Sequence, residues 1–142
     1  MITTDPAGLA DRLRLSVGRL ARRLRQHSLG GLTPSQRSVL STLSRHGPVP
    51  MSRLADLELI SRPAATRITD RLEEKGLVRR TPHPEDRRSA VAEITAAGSA
   101  LLEEGRQERT AFLARRLARL SREDRRKLAG AIEVLDALVE GE

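Results

Sequence analysis

The sequence contains no cysteine, a single aromatic residue and no long apolar run, and each absence excludes a class of protein. Without cysteine, the chain cannot form disulfides, zinc–thiolate sites or thiol redox sensors. With Phe112 as its only aromatic residue, it lacks the stacking surface on which single-stranded nucleic acids are bound. No apolar run approaches the roughly 18 residues that cross a bilayer, and the N-terminus lacks a secretory signal pattern. We therefore expect a soluble, cytoplasmic protein of one domain, with no membrane partner.

The charged residues are unevenly distributed along the 142-residue chain, which carries 26 basic and 19 acidic side chains. Residues 1–95 hold 17 basic and 10 acidic side chains, whereas residues 96–142 hold nine of each. The excess positive charge is therefore confined to the first two-thirds of the chain. A polyanionic partner is expected to bind there.

The first part of the chain shows clear helix signals. Apolar residues at helical spacing predict a first helix over residues 6–27. We interpret its arginines first as a solvated face, second as contacts to a DNA backbone, and third as the polar face of a membrane-surface helix. Thr33, Pro34 and Gln36 form the capping-box pattern that opens a second helix, and Gly47 ends it. Two prolines then predict a short extended link.

A helix-turn-helix is predicted next. The third helix is brief, over residues 51–57, with Leu54 and Leu57 expected to face inward. Four residues separate it from a fourth helix, which Ser61 is placed to cap and Gly76 ends. Two helices joined by so short a turn are typical of a helix-turn-helix.

Two short strands are predicted after the fourth helix, over residues 77–80 and 90–94, around a rigid, proline-rich tip. A long helix over about 96–120 follows, and Ser121 caps a final helix. The fold class predicted from this order is mostly α with a small β-wing. It combines a winged helix-turn-helix domain with N- and C-terminal helices.

On a helical wheel, the fourth helix divides into an apolar face and a polar face. The apolar face comprises Ala64, Ala65, Ile68 and Leu72. The polar face comprises Arg62, Pro63, Thr66 and Asp70, flanked by Arg67 and Thr69. Donors near a helix N-terminus suit the major groove of DNA, where arginine can form two bonds to guanine. The alternative is an ordinary surface helix with charge pairs one turn apart.

The predicted wing is rich in arginine. Its basic residues are Arg79, Arg80, Arg87 and Arg88, and we expect only Glu85 and Asp86 to oppose them. An arginine on a narrow hairpin can enter the minor groove, where the negative potential is strong. We expect Asp86 to pair with an arginine and to hold its side chain in the binding orientation. The alternative is a surface salt bridge worth about 0–1 kcal/mol.

Three stretches of the chain share a pattern with one family. They are LTPSQRSVLSTL (Leu32 to Leu43), ISRPAATRITDRLEEKGLVRR (Ile60 to Arg80) and PEDRRSAVAEITAAG (Pro84 to Gly98). The last holds an Asp-x-Arg followed by a strand that ends in a Leu-Thr-like pair, here Asp86, Arg88, Ile94 and Thr95. Together they resemble the MarR (multiple antibiotic resistance regulator) family of winged helix-turn-helix transcription regulators, over nearly the whole chain.

The resemblance implies a single domain over residues 1–142 that forms a homodimer. Its parts are a dimerisation helix (6–30), a winged helix-turn-helix (32–98, with recognition helix 61–75 and wing 77–94) and C-terminal dimerisation helices (96–142). Apolar stripes at both ends of the chain support the dimer independently, because a small winged domain cannot bury them. The stripes comprise Leu9 and Leu13 in the first helix and Leu128, Ile132, Leu135 and Val139 in the last.

The resemblance also implies roles for individual residues. Those expected to bind the major groove are Arg62, Pro63, Thr66 and Arg67. Arg88 corresponds to the wing arginine of the minor groove, and Asp86 to the acid that orients it. Ser35 and Gln36 fall at a helix start that meets phosphate. From their position beside the wing tip, we count Arg80 and Arg87 as further DNA contacts.

The predicted function is a sequence-specific regulator of transcription that binds double-stranded DNA at a pseudo-palindrome and represses by blocking polymerase access. The resemblance implies release by a small aromatic or anionic effector, for which the sequence assigns no pocket. One alternative is a winged-helix protein–protein adaptor that does not read DNA. An enzyme is the other, but no nucleophile–base pair, carboxylate pair or phosphate loop is present. The three histidines show no metal-ligand spacing, so neither a metal nor a cofactor is expected.

Overall fold

The computed structural model describes residues 4–27 and 30–141, and these contain six helices and three short strands. The helices are α1 (Pro6–Gln26), α2 (Pro34–His46), α3 (Met51–Glu58), α4 (Arg62–Glu74), α5 (Ala96–Leu117) and α6 (Arg122–Glu140). The strands are β1 (Val49–Pro50), β2 (Val78–Pro82) and β3 (Ala90–Ile94). Residues 28 and 29 of the predicted N-terminal segment lie outside the described residues. The order and type of the helices agree with the prediction.

The chain divides into two compact units, residues 1–108 and 109–142, with the boundary inside α5. The first unit contains α1 to β3 and the start of α5. The second contains the end of α5 and all of α6. Within the second unit, the Arg125 guanidinium donates to the carbonyls of Leu117 and Leu120, at 3.4 and 2.7 Å. Carbonyl oxygens at and just after the end of α5 thus gain a side-chain donor, and that of Leu117 also accepts the Leu120 N–H at 3.0 Å.

The predicted helix ends are confirmed by hydrogen bonds. The Thr33 N–H donates to Gln36 Oε1 and the Gln36 N–H donates to Thr33 Oγ1, both at 3.1 Å, which is the reciprocal capping box. Ser61 and Ser121 cap α4 and α6 by accepting the backbone N–H three residues further on. Gly47 ends α2 with a φ of 71°, in the region that favours glycine.

The core of the first unit lies between α2, α3, α4 and the sheet, and it consists of aliphatic residues. They are Leu32, Val39, Leu40, Leu43, Val49, Leu54, Leu72, Leu77, Val78 and Ala92. Burying a leucine or valine side chain stabilises a fold by about 1.5–3 kcal/mol. The buried side of α4 is therefore fixed, and its opposite side faces outward.

Two residues differ from the prediction in their burial. Leu57 is 39% exposed, and Glu58 turns toward α2 instead, where it accepts hydrogen bonds from Ser38 (2.7 Å) and Thr42 (2.5 Å). The prediction for Leu57 was wrong because Glu58 lies one turn after Leu54 and so takes the inward direction. Thr69, predicted to flank the polar face of α4, is fully buried.

The sheet has three strands in the order β1-β3-β2, all antiparallel, rather than the two that were predicted. The link that was predicted from its prolines forms β1, whose Val49 pairs with Ala92. A proline is tolerated there because β1 is an edge strand and needs no N–H on its open side. Strand β2 continues to Pro82, opposite Ala90, so the tip starts two residues later than predicted.

Candidate nucleic-acid interface

The exposed face of α4 presents the residues that were predicted to bind the major groove. Arg62, Pro63, Thr66 and Arg67 are all exposed. Behind them, the fully buried Ala65 lets the start of α4 pack closely against the core. Neither Arg62 nor Arg67 forms an ion pair within the described residues, so both guanidinium groups are available for an external acceptor.

A cleft of about 600 Å³ separates α4 from the wing, and it brings together five of the predicted site residues. These are Arg62, Thr66, Arg80, Asp86 and Arg88. The cleft is completed by Ser89 and Ala90 and, from the start of α3, by Met51 and Ser52. Met51 and Ser52 were not predicted as site residues, although their position directly after Pro50 at a helix start was a usable signal.

The wing tip is shaped by Asp86. Its Oδ1 accepts the backbone N–H of Arg88 at 3.0 Å and lies 3.5 Å from the Arg88 Nε. Its carbonyl accepts the N–H of Ser89 at 3.0 Å, and the His83 N–H donates to the Ser89 carbonyl at 3.1 Å. The expected pairing of Asp86 with an arginine is confirmed. Because the Arg88 side chain is 95% exposed, it projects from a tip whose backbone is held in place.

At the base of the wing the arginines are opposed by more acids than predicted. Arg79 pairs with Glu93 across β2 and β3, while Arg80 pairs with Asp70 and Glu73 of α4. The expectation that only the two acids of the tip oppose the wing arginines was therefore wrong. Successive side chains of β2 point to opposite faces, so Arg79 faces β3's glutamate and Arg80 faces the helix.

The pairing of Arg80 with Glu73 changes the acidity of both groups. The hydrogen bond from the Arg80 guanidinium lowers the pKa of the Glu73 carboxyl below its ordinary value. The same hydrogen bond raises the pKa of Arg80, with a further contribution from Asp70. Both shifts favour the charged forms, so the ion pair persists at neutral pH.

The start of α2 contributes to a second cleft, of about 500 Å³, along the other side of α4. Gln36 and Arg67 both line it, so two further predicted site residues are brought together. The remaining lining residues are Thr33, Ile68, Asp70, Arg71 and Glu74. Ser35 is exposed at the first turn of α2, whereas Arg87 is exposed at the wing tip, and neither lines this cleft or the first.

A third cleft, of about 400 Å³, lies between the end of α1 and α2 and is strongly basic. Its charged lining residues are Arg22, Arg25, Arg37 and Arg45, and no acidic side chain of the described residues lines it. The remaining lining residues are Gln26, Pro34, Ser38 and Ser41. From the sequence, the α1 arginines were interpreted first as a solvated face and second as contacts to a DNA backbone, and those of α2 were not singled out.

Helices α1 and α6 bury none of their residues in the single chain. All six residues predicted for dimerisation are partly or fully exposed, with Ile132 at 55% and Val139 at 84%. On α6, Val134 and Leu138 are also exposed and widen the apolar face. None of the described helices is long and apolar enough to span a bilayer.

A helix-turn-helix with an exposed polar face, followed by an arginine-tipped wing, defines a winged helix-turn-helix protein. The MarR family model matches residues 32–90 of the chain. An HTH-type transcriptional regulator of Mycobacterium bovis is 37% identical over 99% of this chain and 98% of that protein. The HTH-type transcriptional repressor MdtR of Bacillus subtilis is 37% identical over 66% of this chain and 61% of that protein.

Comparison with solved structures indicates the same class of protein. The crystal structure of wild-type MarR from E. coli has a TM-score of 0.68 and 25% identity, and the match covers 95% of this chain and 97% of that one. The chain belongs to the MarR family of transcriptional regulators. The resemblance and fold class predicted from the sequence are thereby confirmed. Since the family consists of DNA-binding regulators and not enzymes, the expectation of a non-enzymatic protein is confirmed as well.

Proposed function

We propose that this protein is a cytoplasmic regulator that binds a specific sequence of double-stranded DNA, with α4 in the major groove and the wing in the minor groove. The observation that supports it best is the cleft that Arg62 and Thr66 of α4 share with Arg88 of the wing. Exposed guanidinium groups on a helix and on an adjacent hairpin suit two neighbouring grooves of one duplex. Pro63 and Arg67 belong to the same surface, and Ser35, Gln36 and Arg87 bind phosphates beside it.

Fluorescence anisotropy with labelled duplexes across a series of salt concentrations tests this function. Because several phosphates must be neutralised, the affinity is expected to fall steeply as salt rises. The Arg62→Ala, Arg88→Ala double variant should lose most of the binding while keeping the wild-type helical content. An adaptor that does not read DNA would show no salt-sensitive binding to any duplex, and that result would contradict the proposal.

The proposed regulator acts as a homodimer joined through α1 and α6. The support is physical, because neither helix buries any residue in the single chain and apolar side chains on both are exposed. A two-fold dimer presents two identical winged domains, and these match a pseudo-palindrome on the DNA.

We further propose that the protein represses transcription and is released from DNA by a small anionic effector. The relative MdtR is named as a repressor, and a dimer seated on a promoter would block polymerase. The α1–α2 cleft supports an anion as effector, since four arginines and no acid line it. An aromatic effector would have Phe112 as the only aromatic side chain on which to stack.

In vitro transcription from a promoter that contains the bound sequence tests the repressor role and the release by an anion. The protein should reduce the transcript, and an aromatic carboxylate or an aliphatic polyanion such as citrate should restore it at constant ionic strength. The Arg22→Ala, Arg45→Ala variant should repress normally but respond less to the anion. An increase in transcript on adding the protein would contradict the repressor role.

A further inference from the structure

Arg80 is the least exposed arginine among the ion pairs of the described residues, with 23% of its side chain exposed. Its backbone N–H donates to Glu73 Oε2 at 3.1 Å, and its Nη2 donates to Glu73 Oε1 at 2.9 Å. The same Nη2 also donates to Asp70 Oδ1. One residue of β2 is thus attached to α4 through its main chain and its side chain together.

These bonds connect two elements of the proposed DNA-binding surface, α4 and the wing. Asp70 and Glu73 are one turn apart on α4, so their carboxylates face the same side of the helix. Arg80 lies on the strand that leads into the wing. The bonds therefore join the helix that carries Arg62 and Thr66 to the hairpin that carries Arg88. Between the two attachment points the chain turns at Gly76, with a φ of 75°.

The charges argue against Arg80 as a phosphate contact. Two carboxylates of α4 already pair with its Nη2, and the lowered pKa of Glu73 favours the ionised pair. These carboxylates offset the positive charge of Arg80 and repel a phosphate that approaches it. Arg88 differs in both respects, because its side chain is almost fully exposed and forms one ion pair among the described residues, at 3.5 Å to Asp86.

We propose that Asp70, Glu73 and Arg80 form an ionic clamp that sets the position of the wing relative to the recognition helix. The inference rests on the proposed DNA-binding function and replaces the expectation that Arg80 contacts DNA. Arg80 and Glu73 are positioning residues, since they act through Arg88 and the α4 side chains. The clamp makes an acidic side chain necessary for binding a polyanion.

The clamp predicts an effect on DNA affinity that is opposite to the one expected from simple electrostatic repulsion. Removing a negative charge near DNA normally strengthens binding, because it lowers the repulsion of the phosphates. The clamp predicts the opposite for Glu73→Gln. Glu74→Gln is the matched control, since Glu74 is the next acid on α4, is exposed, and lies 3.9 Å from Arg71 without a hydrogen bond.

The experiment measures the dissociation constant of each full-length variant for one specific duplex by anisotropy. Glu73→Gln is expected to weaken binding about fivefold or more, a difference of about 1 kcal/mol. Glu74→Gln should bind as tightly as wild type or more tightly. Arg80→Met should also weaken binding, because it removes every side-chain donor to Asp70 and Glu73 and leaves the two carboxylates without their partner on β2.

A double-mutant cycle separates positioning from a general loss of stability. In the Glu73→Gln background, Arg88→Ala should cost less affinity than in wild type, because the wing is already out of position. An unchanged cost would overturn the clamp, as would Glu73→Gln binding as tightly as Glu74→Gln. If wild type binds duplex and Glu73→Gln is unaffected, only the clamp fails. If wild type binds no duplex at low salt, the proposed function fails as well.

Discussion

The two wing arginines Arg80 and Arg88 have different surroundings: Arg80 pairs with two carboxylates of α4, whereas the side chain of Arg88 is almost fully exposed. The pairing of Arg88 with Asp86 was predictable, because the two residues are separated by a single position in the tip. The partners of Arg80 were not, since Asp70 and Glu73 precede it by ten and seven residues and lie on another element. Counting charges near in sequence cannot show which side of a strand faces a helix.

Arg88→Ala is expected to weaken specific DNA binding by about 1–3 kcal/mol, the range of a good base contact. The physical reason is the loss of an exposed guanidinium from the strongly negative minor groove. A gel-shift titration of the folded variant measures the change. Arg126→Ala, which removes the same charge from α6, serves as the control. Equal affinity of wild type and Arg88→Ala would contradict a role for Arg88.

The pKa of Glu73 predicts a pH dependence of stability. Because the Arg80 hydrogen bond lowers this pKa in the folded protein, the pair stabilises the fold above the unfolded pKa of about 4.5. That stabilisation is lost as the pH falls through the lower folded pKa. Solvent screening at this partly exposed pair limits it to less than about 1 kcal/mol.

Urea denaturation of wild type and Glu73→Gln at two pH values measures this contribution. The wild type should be the more stable at pH 7, and the difference in free energy of unfolding should become smaller as the pH is lowered to 3. A difference that is constant across this range would show that the carboxylate charge does not contribute.

At the scale of elements, capping residues correctly predicted where helices begin. Helical spacing was a poorer guide to which residues are buried. Thr33, Gln36 and Ser61 act locally, so their hydrogen bonds could be predicted from spacing alone. Strand β1 was missed because a two-residue strand between prolines has no periodicity, and only pairing with β3 defines it. Likewise, Glu58 displaced Leu57 from the inward direction through bonds to α2, which no local pattern shows.

The start of α5 packs directly on the sheet, and Gly98 permits this close approach. A Cβ at Gly98 would clash with the carbonyl oxygen of Leu77 and would lie 2.6 Å from Ile94 Cγ1. Gly98→Ala is therefore expected to destabilise the protein by about 1–3 kcal/mol through overpacking. Urea denaturation checks the value.

Gly130→Ala is the matched control, because a Cβ there meets no atom within 4 Å. Alanine in place of glycine inside a helix should stabilise by up to about 1 kcal/mol. If both glycine variants shifted stability in the same direction, backbone propensity and not packing would explain the effect of Gly98→Ala.

At the scale of the whole molecule, the main feature is the apolar stripes that α1 and α6 expose at the two ends of the chain. The apolar stripes of α1 and α6 were predicted from periodicity, and the structure leaves both exposed. The partner chain that the proposed dimer requires could not be derived from helical periodicity or capping signals, because these report only contacts within one chain.

The proposed dimer predicts that charges placed on α6 will halve the molecular mass of the protein in solution. The double variant Ile132→Glu, Val139→Glu places two charges on the exposed apolar stripe of α6 and should dissociate the dimer, because unpaired charges cannot be buried at low cost. Sedimentation velocity at micromolar concentration measures the mass. Glu133→Gln, on the other side of the same helix, should remain dimeric. A wild-type protein that sediments as a monomer would contradict the dimer.

Selection of bound duplexes from a random pool tests the central claim most directly, because it reports DNA reading and symmetry in one result. The wild-type protein should enrich an inverted repeat whose half-site centres are about 10 base pairs apart. The same selection with Thr66→Ala should change the bases preferred within each half-site. Enrichment of a single, unrepeated half-site, or of no sequence at all, would contradict a symmetric dimer that reads DNA with α4 and the wing.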